Sequence, residues 1–365
     1  MREVNKNILI ASGGTGGHIY PSLSLANFLK NRYKVKILTD KRGLKYLTKE
    51  NKINIQTINS ETFFGKNLFY KFISLIKIAS SIFFSLFLII KFKPKLVIGM
   101  GGYSSFPVCI AAYFLKKPIF IYENNLVIGR TNKFILPFAK KILVSTKDLK
   151  GVDAKYESKI FEIGYLIRDQ ILKLKTQNFS KDKNQIFSIL IIGGSQSAKV
   201  FGEILPDIMT KFSTNDFKVK IYQQCLANQI NQITEIYKKS NLEFKLFSFA
   251  EDITQYYKLS HLAITRSGAS SLAELVNLRI PFIAIPLPSS TDNHQFHNAN
   301  YFENKGYGFL LNQSSVSDKL LKILIDLKTN NEKLFLMREK MRKHSDESNF
   351  FKVVKLIEKS INEKN

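Results

Sequence analysis

The sequence predicts an α/β protein in which two doubly wound halves face each other. Short apolar runs alternate with helical stretches along almost all of the 365 residues, and such alternation is typical of parallel sheets covered by helices. A strand, a glycine turn and a helix start occur together twice, at Gly13 and at Gly193. Because parallel sheets bind ligands at the carboxyl ends of their strands, we expect two Rossmann-like domains with the active site in the cleft between them.

The first half contains five apolar runs that we interpret as strands, near residues 8–11, 35–38, 96–99, 118–122 and 142–145. The first run leads into the glycine-rich turn 13–17, and glycines follow such a turn because they lack a Cβ. Apolar residues recur at helical spacing from Tyr20 and Pro21 onward, with Pro21 tolerated in a first turn. The turn and the helix N-terminus form a site for negative charge. His18 lies at its mouth and is the only side chain of the loop that exchanges a proton near neutral pH.

A second series of strands is predicted near residues 189–192, 219–222, 262–265 and 282–285. The polar segment 176–185 precedes this series and is interpreted as a linker or a surface loop. We therefore predict a first domain over residues 1–163 and a second over residues 164–345. The last helix, within residues 346–365, is expected to pack back on the first domain.

The segment 63–95 is unusually apolar. Between Phe72 and Ile90 only Lys77 interrupts a serine-containing apolar run that nearly matches the length of a membrane span. Three alternatives remain open: a spanning helix, an ordinary buried helix, and a helix that lies on a membrane with its flanking lysines on anionic head groups. Spanning fits least, because the run lies between two strands of one predicted sheet. The residues at helical spacing along one face are Leu68, Phe72, Leu75, Ala79, Ile82, Leu86 and Ile90.

A formal net charge of +26 suits nucleic acid, a membrane surface or anionic metabolites. No RNA-binding signature or basic arm is evident, so nucleic acid ranks below a membrane as partner. The two cysteines, Cys109 and Cys225, form no CxxC motif, which favours a reducing compartment. The sequence also shows no signal-peptide pattern, because the first apolar run is short and leads straight into the glycine turn.

Polar groups follow several predicted strands and form the candidate site. A second glycine turn, 99–105, follows the third strand, and Glu123 with two asparagines ends the next one. The second half repeats the design after 189–192 and after 262–265, where Glu274 follows inside a helix. Helix N-termini would hold a diphosphate, and the acids and amides suit sugar hydroxyls. Each feature also has a structural interpretation: close packing for the glycine turns, and a satisfied or solvated acid for Glu123 and Glu274.

Several chemistries lack their residues. His294 and His297 lie three apart near Asp292, but no third ligand has suitable spacing, so we expect no metal. The sequence contains no Walker lysine, GxSxG or HExxH motif, which argues against ATPase and hydrolase functions.

Taken together, these segments resemble the N-acetylglucosaminyltransferase family of peptidoglycan synthesis (MurG), whose members have the GT-B fold. Several motifs in one order are far more specific than one glycine loop. The motifs cover nearly the whole chain in the same order: GGTGGH (13–18), GMGGY (99–103), YENN (122–125), GGSQ (193–196), TRSGA (265–269) with Glu274, and DNHQFHNA (292–299).

The resemblance implies an inverting glycosyltransferase that moves GlcNAc from UDP-GlcNAc to the C4 hydroxyl of MurNAc in undecaprenyl-diphospho-MurNAc-pentapeptide (lipid I to lipid II). This is the last cytoplasmic step of peptidoglycan precursor synthesis, and no cofactor is expected. The first domain would bind the acceptor and the anionic membrane surface, and the second would bind UDP-GlcNAc. The implied location is peripheral, on the cytoplasmic face of the cell (inner) membrane, with cell-wall synthesis and division proteins as further partners.

The resemblance also assigns residues by position. His18 is the candidate general base and Glu123 the weaker one. The acceptor side comprises Gly14, Gly101, Gly102 and Tyr103. Ser195 and the turn 269–270 would face the diphosphate, Glu274 the ribose and the Ala250 backbone the uracil. The residues expected to bind UDP-GlcNAc are Thr15, Gly16, Gly17, Asn125, Arg168, Ser195, Ala250, Ala269, Ser270, Ser271, Glu274, His294 and Gln295.

The chain departs from the family pattern in three places. The family usually has His-Glu-Gln-Asn at 122–125, where this chain has Tyr-Glu-Asn-Asn. It usually has Gly-Asn-Pro-Val-Arg at 164–168, where this chain has Gly-Tyr-Leu-Ile-Arg, and the missing proline bears on the aim of Arg168. Ser197 takes the place of a glycine in the phosphate turn. We expect activity to survive these changes.

Three other functions remain open. One is another GT-B glycosyltransferase, such as a diacylglycerol glycosyltransferase, and a second is a non-catalytic nucleotide-sugar-binding membrane subunit. The third is an NAD-binding oxidoreductase. Asp40, after the second predicted strand, resembles the acid that holds an NAD ribose, whereas Ile19 stands where the dinucleotide pattern has its third glycine.

Overall fold

A computed structural model describes residues 6–47, 53–59, 68–174, 186–194, 198–214, 217–250 and 252–362. The chain divides into two compact units, Met1–Arg168 together with Asp346–Asn365, and Asp169–Ser345. The division falls after Arg168 and not after residue 163, so that Arg168 is the last residue before the chain leaves the first unit. The predicted linker 176–185 lies outside the described residues.

The first unit is built on a seven-stranded parallel sheet in the order β3-β2-β1-β4-β5-β6-β7. β4 and β5 are buried at every position, as in sheets that helices cover on both faces. The edge strands β3 and β7 were not predicted, because β3 carries polar residues instead of an apolar run and β7 has only three residues. The strands are β1 (Asn7–Ala11), β2 (Lys34–Thr39), β3 (Asn54–Thr57), β4 (Leu96–Gly99), β5 (Ile119–Glu123), β6 (Lys141–Val144) and β7 (Ile160–Glu162).

Helices connect these strands. The first helix begins at Gly16, earlier than predicted, and Pro21 lies inside it and not in its first turn. The helices of this part are α1 (Gly16–Leu29), α2 (Lys41–Leu44), α3 (Leu68–Phe92), α4 (Ser105–Phe114) and α5 (Arg130–Ile135).

The second unit contains a six-stranded parallel sheet in the order β10-β9-β8-β11-β12-β13. β10 alternates charged and apolar residues and β13 has only three residues, so neither was predicted. The strands are β8 (Phe187–Ile192), β9 (Val219–Gln224), β10 (Glu243–Phe247), β11 (Leu262–Thr265), β12 (Phe282–Ala284) and β13 (Gly308–Leu310). The helices are α6 (Asp169–Leu172), α7 (Ala198–Ser213), α8 (Ile230–Lys239), α9 (Thr254–Tyr257), α10 (Ala269–Asn277), α11 (His294–Asn304), α12 (Val316–Thr329) and α13 (Asn331–Met341).

The last helix, α14 (Asn349–Asn362), belongs to the first unit and contacts α1. The Phe28 ring stacks on Phe350 at a centroid distance of 5.1 Å and meets Phe351 edge-on at 5.0 Å. Aromatic pairs at these distances add to the free energy gained by burying the rings.

Each sheet has one point at which the strand order reverses direction. In the first unit this point lies between β1 and β4, and in the second between β8 and β11. The loops that leave these four strands are the four glycine-containing turns of the sequence. Doubly wound sheets bind ligands at this point, outside the carboxyl ends of the strands. The predicted pair of Rossmann-like α/β domains is confirmed.

Candidate functional site

The two glycine turns of the first unit touch each other through their backbones. The Gly13 N–H donates to the Gly101 carbonyl oxygen at 3.3 Å. Gly102 has φ +77, and a Cβ at this residue would overlap the carbonyl oxygen of Gly13. Gly14 and Gly101 also adopt positive φ, at +87 and +86, which favours glycine. Glycine is therefore required here by close approach as well as by backbone conformation.

The His18 ring lies against this pair of turns. A Cβ on Gly101 would stand 2.8 Å from His18 Nδ1, so the absence of a side chain at Gly101 makes room for the imidazole. His18 lies in the first turn of α1, whose Ser22 hydroxyl donates to the His18 carbonyl oxygen at 2.6 Å. The sequence-predicted base and the predicted acceptor-side glycines are thus neighbours.

Asp40, which directly follows β2, accepts a hydrogen bond from the backbone of Gly14 in the same glycine turn. Its Oδ1 accepts the backbone N–H groups of Arg42 and Gly43 at 2.9 Å each, and its Oδ2 accepts Arg42 Nη2 at 2.7 Å. Burial raises the pKa of this carboxyl, but the bonds from Arg42, Gly43 and Gly14 outweigh burial and hold it below its usual value. Asp40 is therefore occupied by the protein's own donors, which removes the feature that favoured an NAD ribose.

Arg42 itself was not identified from the sequence. Its guanidinium lies 6.0 Å from the Tyr103 ring centroid, and its Nη2 would be 3.8 Å from a Cβ at Gly14. The side chain is 58% exposed. A positive charge therefore stands beside the acceptor-side glycines, held by Asp40 and available to an anion.

Glu123 has a structural environment. It is 1% exposed, and each carboxylate oxygen accepts two hydrogen bonds. Oε1 accepts the backbone N–H and Nδ2 of Asn125 at 3.0 and 2.9 Å, and Oε2 accepts the Gly129 N–H at 2.8 Å and Asn132 Nδ2 at 2.9 Å. All four bonds hold the carboxylate in place, which favours a structural role, and the role of Glu123 as a base stays a prediction. Asn125, expected at the donor, also orders this carboxylate.

Asn124 connects the end of β5 to the first glycine turn. Pro21 has no N–H, so the Gly17 carbonyl oxygen, four residues earlier, lacks its helical partner. Asn124 Nδ2 donates to that carbonyl oxygen at 3.1 Å. The Ser145 hydroxyl in turn donates to the Asn124 carbonyl oxygen at 3.0 Å. Because of Pro21, the Gly17 carbonyl oxygen accepts a hydrogen bond from Asn124. The two hydrogen bonds of Asn124 thus link the segments that follow β1, β5 and β6.

Arg168 lies over α1 at the end of the first unit. Its guanidinium carbon is 4.8 Å from the Tyr20 ring centroid. The same ring would lie 3.0 Å from a Cβ at Gly16, and it contacts Tyr46 edge-on at 5.6 Å. Arg168 is thereby placed near Thr15, Gly16 and Gly17, the turn with which it was predicted to act.

In the second unit, the turn after β8 is anchored at Gly194, which has φ +68. Its N–H donates to Gln224 Oε1 at 3.0 Å, and Gln224 Nε2 donates to the Ser248 carbonyl oxygen at 3.2 Å. The predicted diphosphate residue Ser195 and the substituted Ser197 lie outside the described residues. Ala250, predicted at the uracil, is half-buried next to the 64% exposed Phe249.

The turn after β11 is held by α11 and by a buried arginine. Gln295 Oε1 accepts the N–H groups of Ser267 and Leu287 at 3.3 and 2.9 Å, and Asn298 Nδ2 donates to the Ser267 carbonyl oxygen at 3.0 Å. Gln295, expected to contact the donor directly, therefore uses this oxygen to shape the turn.

Arg266, a residue that the sequence analysis did not single out, donates from Nη1 to the carbonyl oxygens of Ile285 and Pro286 at 3.2 and 3.1 Å. Burial lowers its pKa to about 10, which leaves it charged at neutral pH.

The helix that follows this turn presents a carboxylate. Ala269, Ser270 and Ser271 form the first turn of α10, which contains no acidic residue. Glu274 comes one turn later, is 5% exposed, and accepts the Tyr257 hydroxyl at 3.2 Å. A helix N-terminus followed by an oriented acid is suited to a phosphate attached to a sugar diol. Tyr257 could not be found from the sequence, since nothing in its spacing relates α9 to α10.

His294 starts α11 after a strained turn. Asp292 and Asn293 both adopt positive φ, at +51 and +53. The Nδ1 of His294 lies 2.8 Å from the Thr291 carbonyl oxygen. Within the described ranges, no three His, Cys, Asp or Glu side chains are grouped in a way that could hold a metal ion.

Three serines of α3 face inward, and its phenylalanines Phe83, Phe84 and Phe87 face outward. Ser74, Ser81 and Ser85 are buried, and the hydroxyls of Ser81 and Ser85 donate to carbonyl oxygens one turn earlier at 2.8 and 2.7 Å. Leu88, Ile89 and Phe92 join the core of the first unit. The predicted apolar face is therefore not the core face, since Leu75 and Ile90 are exposed. The exposed apolar residues of α3, α4 and α5 are Leu75, Ile76, Phe83, Phe84, Phe87, Ile90, Tyr113, Phe114 and Phe134.

The segment Ile73–Phe92 is long and apolar enough to cross a membrane by length and composition, and 28% of it is buried inside the protein. Both strands that flank it, β3 and β4, belong to one sheet. Exposed lysines lie within these helices or shortly after them: Lys77, Lys91, Lys93, Lys95, Lys116 and Lys133.

Comparison with known proteins gives consistent matches over both units. The glycosyltransferase family 28 N-terminal domain matches residues 8–144, and the family 28 C-terminal domain matches residues 188–355. A relative from Pelagibacter ubique (strain HTCC1062) is 35% identical over 99% of this chain and 100% of its own length, and one from Rickettsia felis is 34% identical over 90% and 92%. Both are named UDP-N-acetylglucosamine--N-acetylmuramyl-(pentapeptide) pyrophosphoryl-undecaprenol N-acetylglucosamine transferase. The crystal structure of Acinetobacter baumannii MurG is similar with a TM-score of 0.75 and 26% identity over 97% of this chain and 99% of that one.

Proposed function

The chain belongs to glycosyltransferase family 28, and we propose that it transfers GlcNAc from UDP-GlcNAc to the C4 hydroxyl of MurNAc in undecaprenyl-diphospho-MurNAc-pentapeptide. The observation that carries this proposal is the pair of strand-order reversals, each flanked by two glycine-containing turns. One pair of turns holds the imidazole of His18, and one turn of the other pair leads to the buried Glu274. Two separate ligand sites of this kind suit two substrates that both carry a diphosphate.

The second unit supplies the donor site in this proposal. The N-terminus of α10, at Ala269, Ser270 and Ser271, faces the UDP diphosphate, because the N–H groups and the dipole at a helix N-terminus favour negative charge. Glu274 accepts hydrogen bonds from the ribose hydroxyls, oriented by Tyr257. His294 and the backbone of Ala250 contact the GlcNAc and uracil ends, while Gln295 shapes the turn.

The first unit supplies the acceptor site and the base. The muramyl C4 hydroxyl must lose its proton as it attacks the anomeric carbon, and His18 takes this proton. Glu123 is not the base, because both of its oxygens are engaged. Arg42 and the turns at Gly14, Gly101 and Gly102 attract the acceptor diphosphate. General base catalysis by a positioned side chain typically contributes about 10²–10⁴-fold to the rate.

The outward phenylalanines of α3 support a peripheral location at the cytoplasmic face of the cell membrane. Exposed apolar patches are uncommon on monomeric proteins and mark interaction surfaces. The polyprenyl acceptor is held in a bilayer, so the enzyme must reach it there. Each exposed lysine of these helices that lies near an anionic membrane contributes about 1 kcal/mol to the attraction between the protein and that membrane. Contacts with cell-wall synthesis and division proteins are proposed on the family relationship alone.

Release of UDP tests this function. Purified protein with UDP-GlcNAc and a short-chain muramyl-pentapeptide lipid is expected to release UDP only when both substrates are present. Glu274→Ala should raise the KM for UDP-GlcNAc and leave the KM for the acceptor unchanged. Glu235→Ala, at an exposed position of α8 in the same unit, serves as a carboxylate control. Thermal stabilisation by NAD and not by UDP-GlcNAc would contradict the proposal.

A further inference from the structure

The segment 164–168 is the last stretch of the first unit before the chain enters the second, and the side chain of Tyr122 holds it. The Leu166 N–H donates to the Tyr122 hydroxyl oxygen at 3.0 Å. The hydroxyl donates to the Gly164 carbonyl oxygen, with an oxygen–oxygen distance of 3.5 Å. Tyr122 is 3% exposed and Leu166 is 1% exposed. The burial of Tyr122 raises the pKa of its hydroxyl, so this group stays neutral and keeps its proton to donate.

The stretch on which the chain returns to the first unit holds the same segment from another side. The Tyr165 N–H donates to Asp346 Oδ1 at 3.0 Å, and Asn349 Nδ2 donates to the Tyr165 carbonyl oxygen at 3.0 Å and to Asp346 Oδ1 at 2.6 Å. Gly164 has φ +86, and a Cβ there would overlap the Asn349 amide. Asp346 and Asn349 are both buried. The backbone from 164 to 166 is therefore fixed at three successive residues.

The bond between Tyr122 and Leu166 joins two positions at which this chain departs from its family's pattern. The pattern has histidine at 122 and proline at 166, and a proline has no N–H to satisfy. Here leucine at 166 introduces a buried donor, and tyrosine at 122 provides the acceptor for it. A buried N–H without a partner costs free energy, so leucine at 166 requires an acceptor, which the Tyr122 hydroxyl provides.

We propose that Tyr122 is a positioning residue for Arg168. Its hydroxyl fixes the backbone two residues before Arg168, and this holds the guanidinium at its place 4.8 Å above the Tyr20 ring. The inference rests on the proposed function and on the expectation, from the family resemblance, that Arg168 binds UDP-GlcNAc. Tyr122 touches neither substrate, and its effect passes through the backbone of 164–166.

Kinetics of Tyr122→Phe test this proposal. The variant keeps the ring in the core and removes the hydroxyl, which accepts the Leu166 N–H at 3.0 Å and donates to the Gly164 carbonyl oxygen at 3.5 Å. We expect the KM for UDP-GlcNAc to rise about fivefold, as the loss of one hydrogen bond predicts, with kcat and the acceptor KM within about twofold of wild type. Amide exchange at Leu166 should accelerate at least about tenfold while β5 stays protected.

A second substitution provides the rescue. The double variant Tyr122→Phe with Leu166→Pro removes both the hydroxyl that accepts this hydrogen bond and the N–H that donates it. The KM for UDP-GlcNAc should therefore return toward the wild-type value. Arg168→Ala is the reference for the function of the segment. If the KM for UDP-GlcNAc is unchanged in Tyr122→Phe and raised in Arg168→Ala, the positioning role of Tyr122 is overturned and the role of Arg168 remains intact. An unchanged donor KM in Arg168→Ala would overturn both.

Discussion

Replacing Glu123 with glutamine separates a structural role from a catalytic one. In the wild type, four N–H groups point at the two carboxylate oxygens at distances between 2.8 and 3.0 Å. A glutamine amide keeps one acceptor oxygen and turns the other into an NH₂ group. In either orientation of the amide, two of the four N–H donors then face the NH₂ group, which cannot accept their hydrogen bonds. Two charge-assisted hydrogen bonds are lost inside a buried site.

The magnitude follows from those two bonds. A hydrogen bond to a charged group contributes about 1.5–3 kcal/mol, so the variant should lose at least about 3 kcal/mol of unfolding free energy. For a unit of this size, that corresponds to a fall in Tm of roughly 6–12 °C. The kcat of the folded variant should stay within about threefold of wild type, because the proposed base is His18.

Differential scanning calorimetry and initial rates below the transition measure the two effects. Glu162→Gln is the matched control, since Glu162 is an exposed acid at the end of β7 in the same sheet and should change stability by no more than about 0.5 kcal/mol. An unchanged Tm for Glu123→Gln together with a kcat lowered by about 10²–10⁴ would refute the reasoning and restore Glu123 as the base.

Four further predictions follow from the same structure. His18→Ala should lower kcat by about 10²–10⁴ while calorimetry shows unchanged UDP-GlcNAc affinity, and an unchanged kcat would exclude His18 as base. Tyr257→Phe should weaken UDP-GlcNAc binding about fivefold, since Glu274 loses the hydroxyl that orients it; equal affinities in a binding titration would contradict this. Burial and two neighbouring basic side chains lower the pKa of His261 to about 4. The unfolded chain therefore binds more protons between pH 6.5 and 4, and the unfolding free energy should fall across this window by about 3 kcal/mol, a slope that His261→Gln should abolish. Phe87→Ser should reduce cosedimentation with anionic vesicles and leave the rate on a water-soluble acceptor unchanged, and equal binding would argue against α3 as the membrane face.

The parts of the fold that could be predicted are those that depend on local pattern. Buried parallel strands require continuous apolar runs, so β1, β4 and β5 were visible in the sequence. The turns at Gly13 and Gly101 were visible because only glycine permits such close backbone contact. The edge strand β3 was missed because half of its surface faces water and its residues need no apolar pattern.

The partners of the candidate site residues could not be predicted, since they come from distant parts of the chain. The sequence does not reveal that Gly129 and Asn132 both donate hydrogen bonds to the Glu123 carboxylate. Glu123 was therefore considered as a base. The orientation of Glu274 by Tyr257 depends on how α9 and α10 pack. The side of α3 that faces outward could not be predicted, because helical periodicity shows that an apolar face exists but does not show which side the sheet covers.

Transfer of radiolabelled GlcNAc tests the central claim most directly. Purified protein would be incubated with labelled UDP-GlcNAc and a short-chain analogue of undecaprenyl-diphospho-MurNAc-pentapeptide. A parallel reaction would contain diacylglycerol as the acceptor. The proposed function predicts label on the muramyl acceptor alone, in a β linkage to its C4 hydroxyl. Label on diacylglycerol, or on neither acceptor while UDP-GlcNAc still binds, would contradict it.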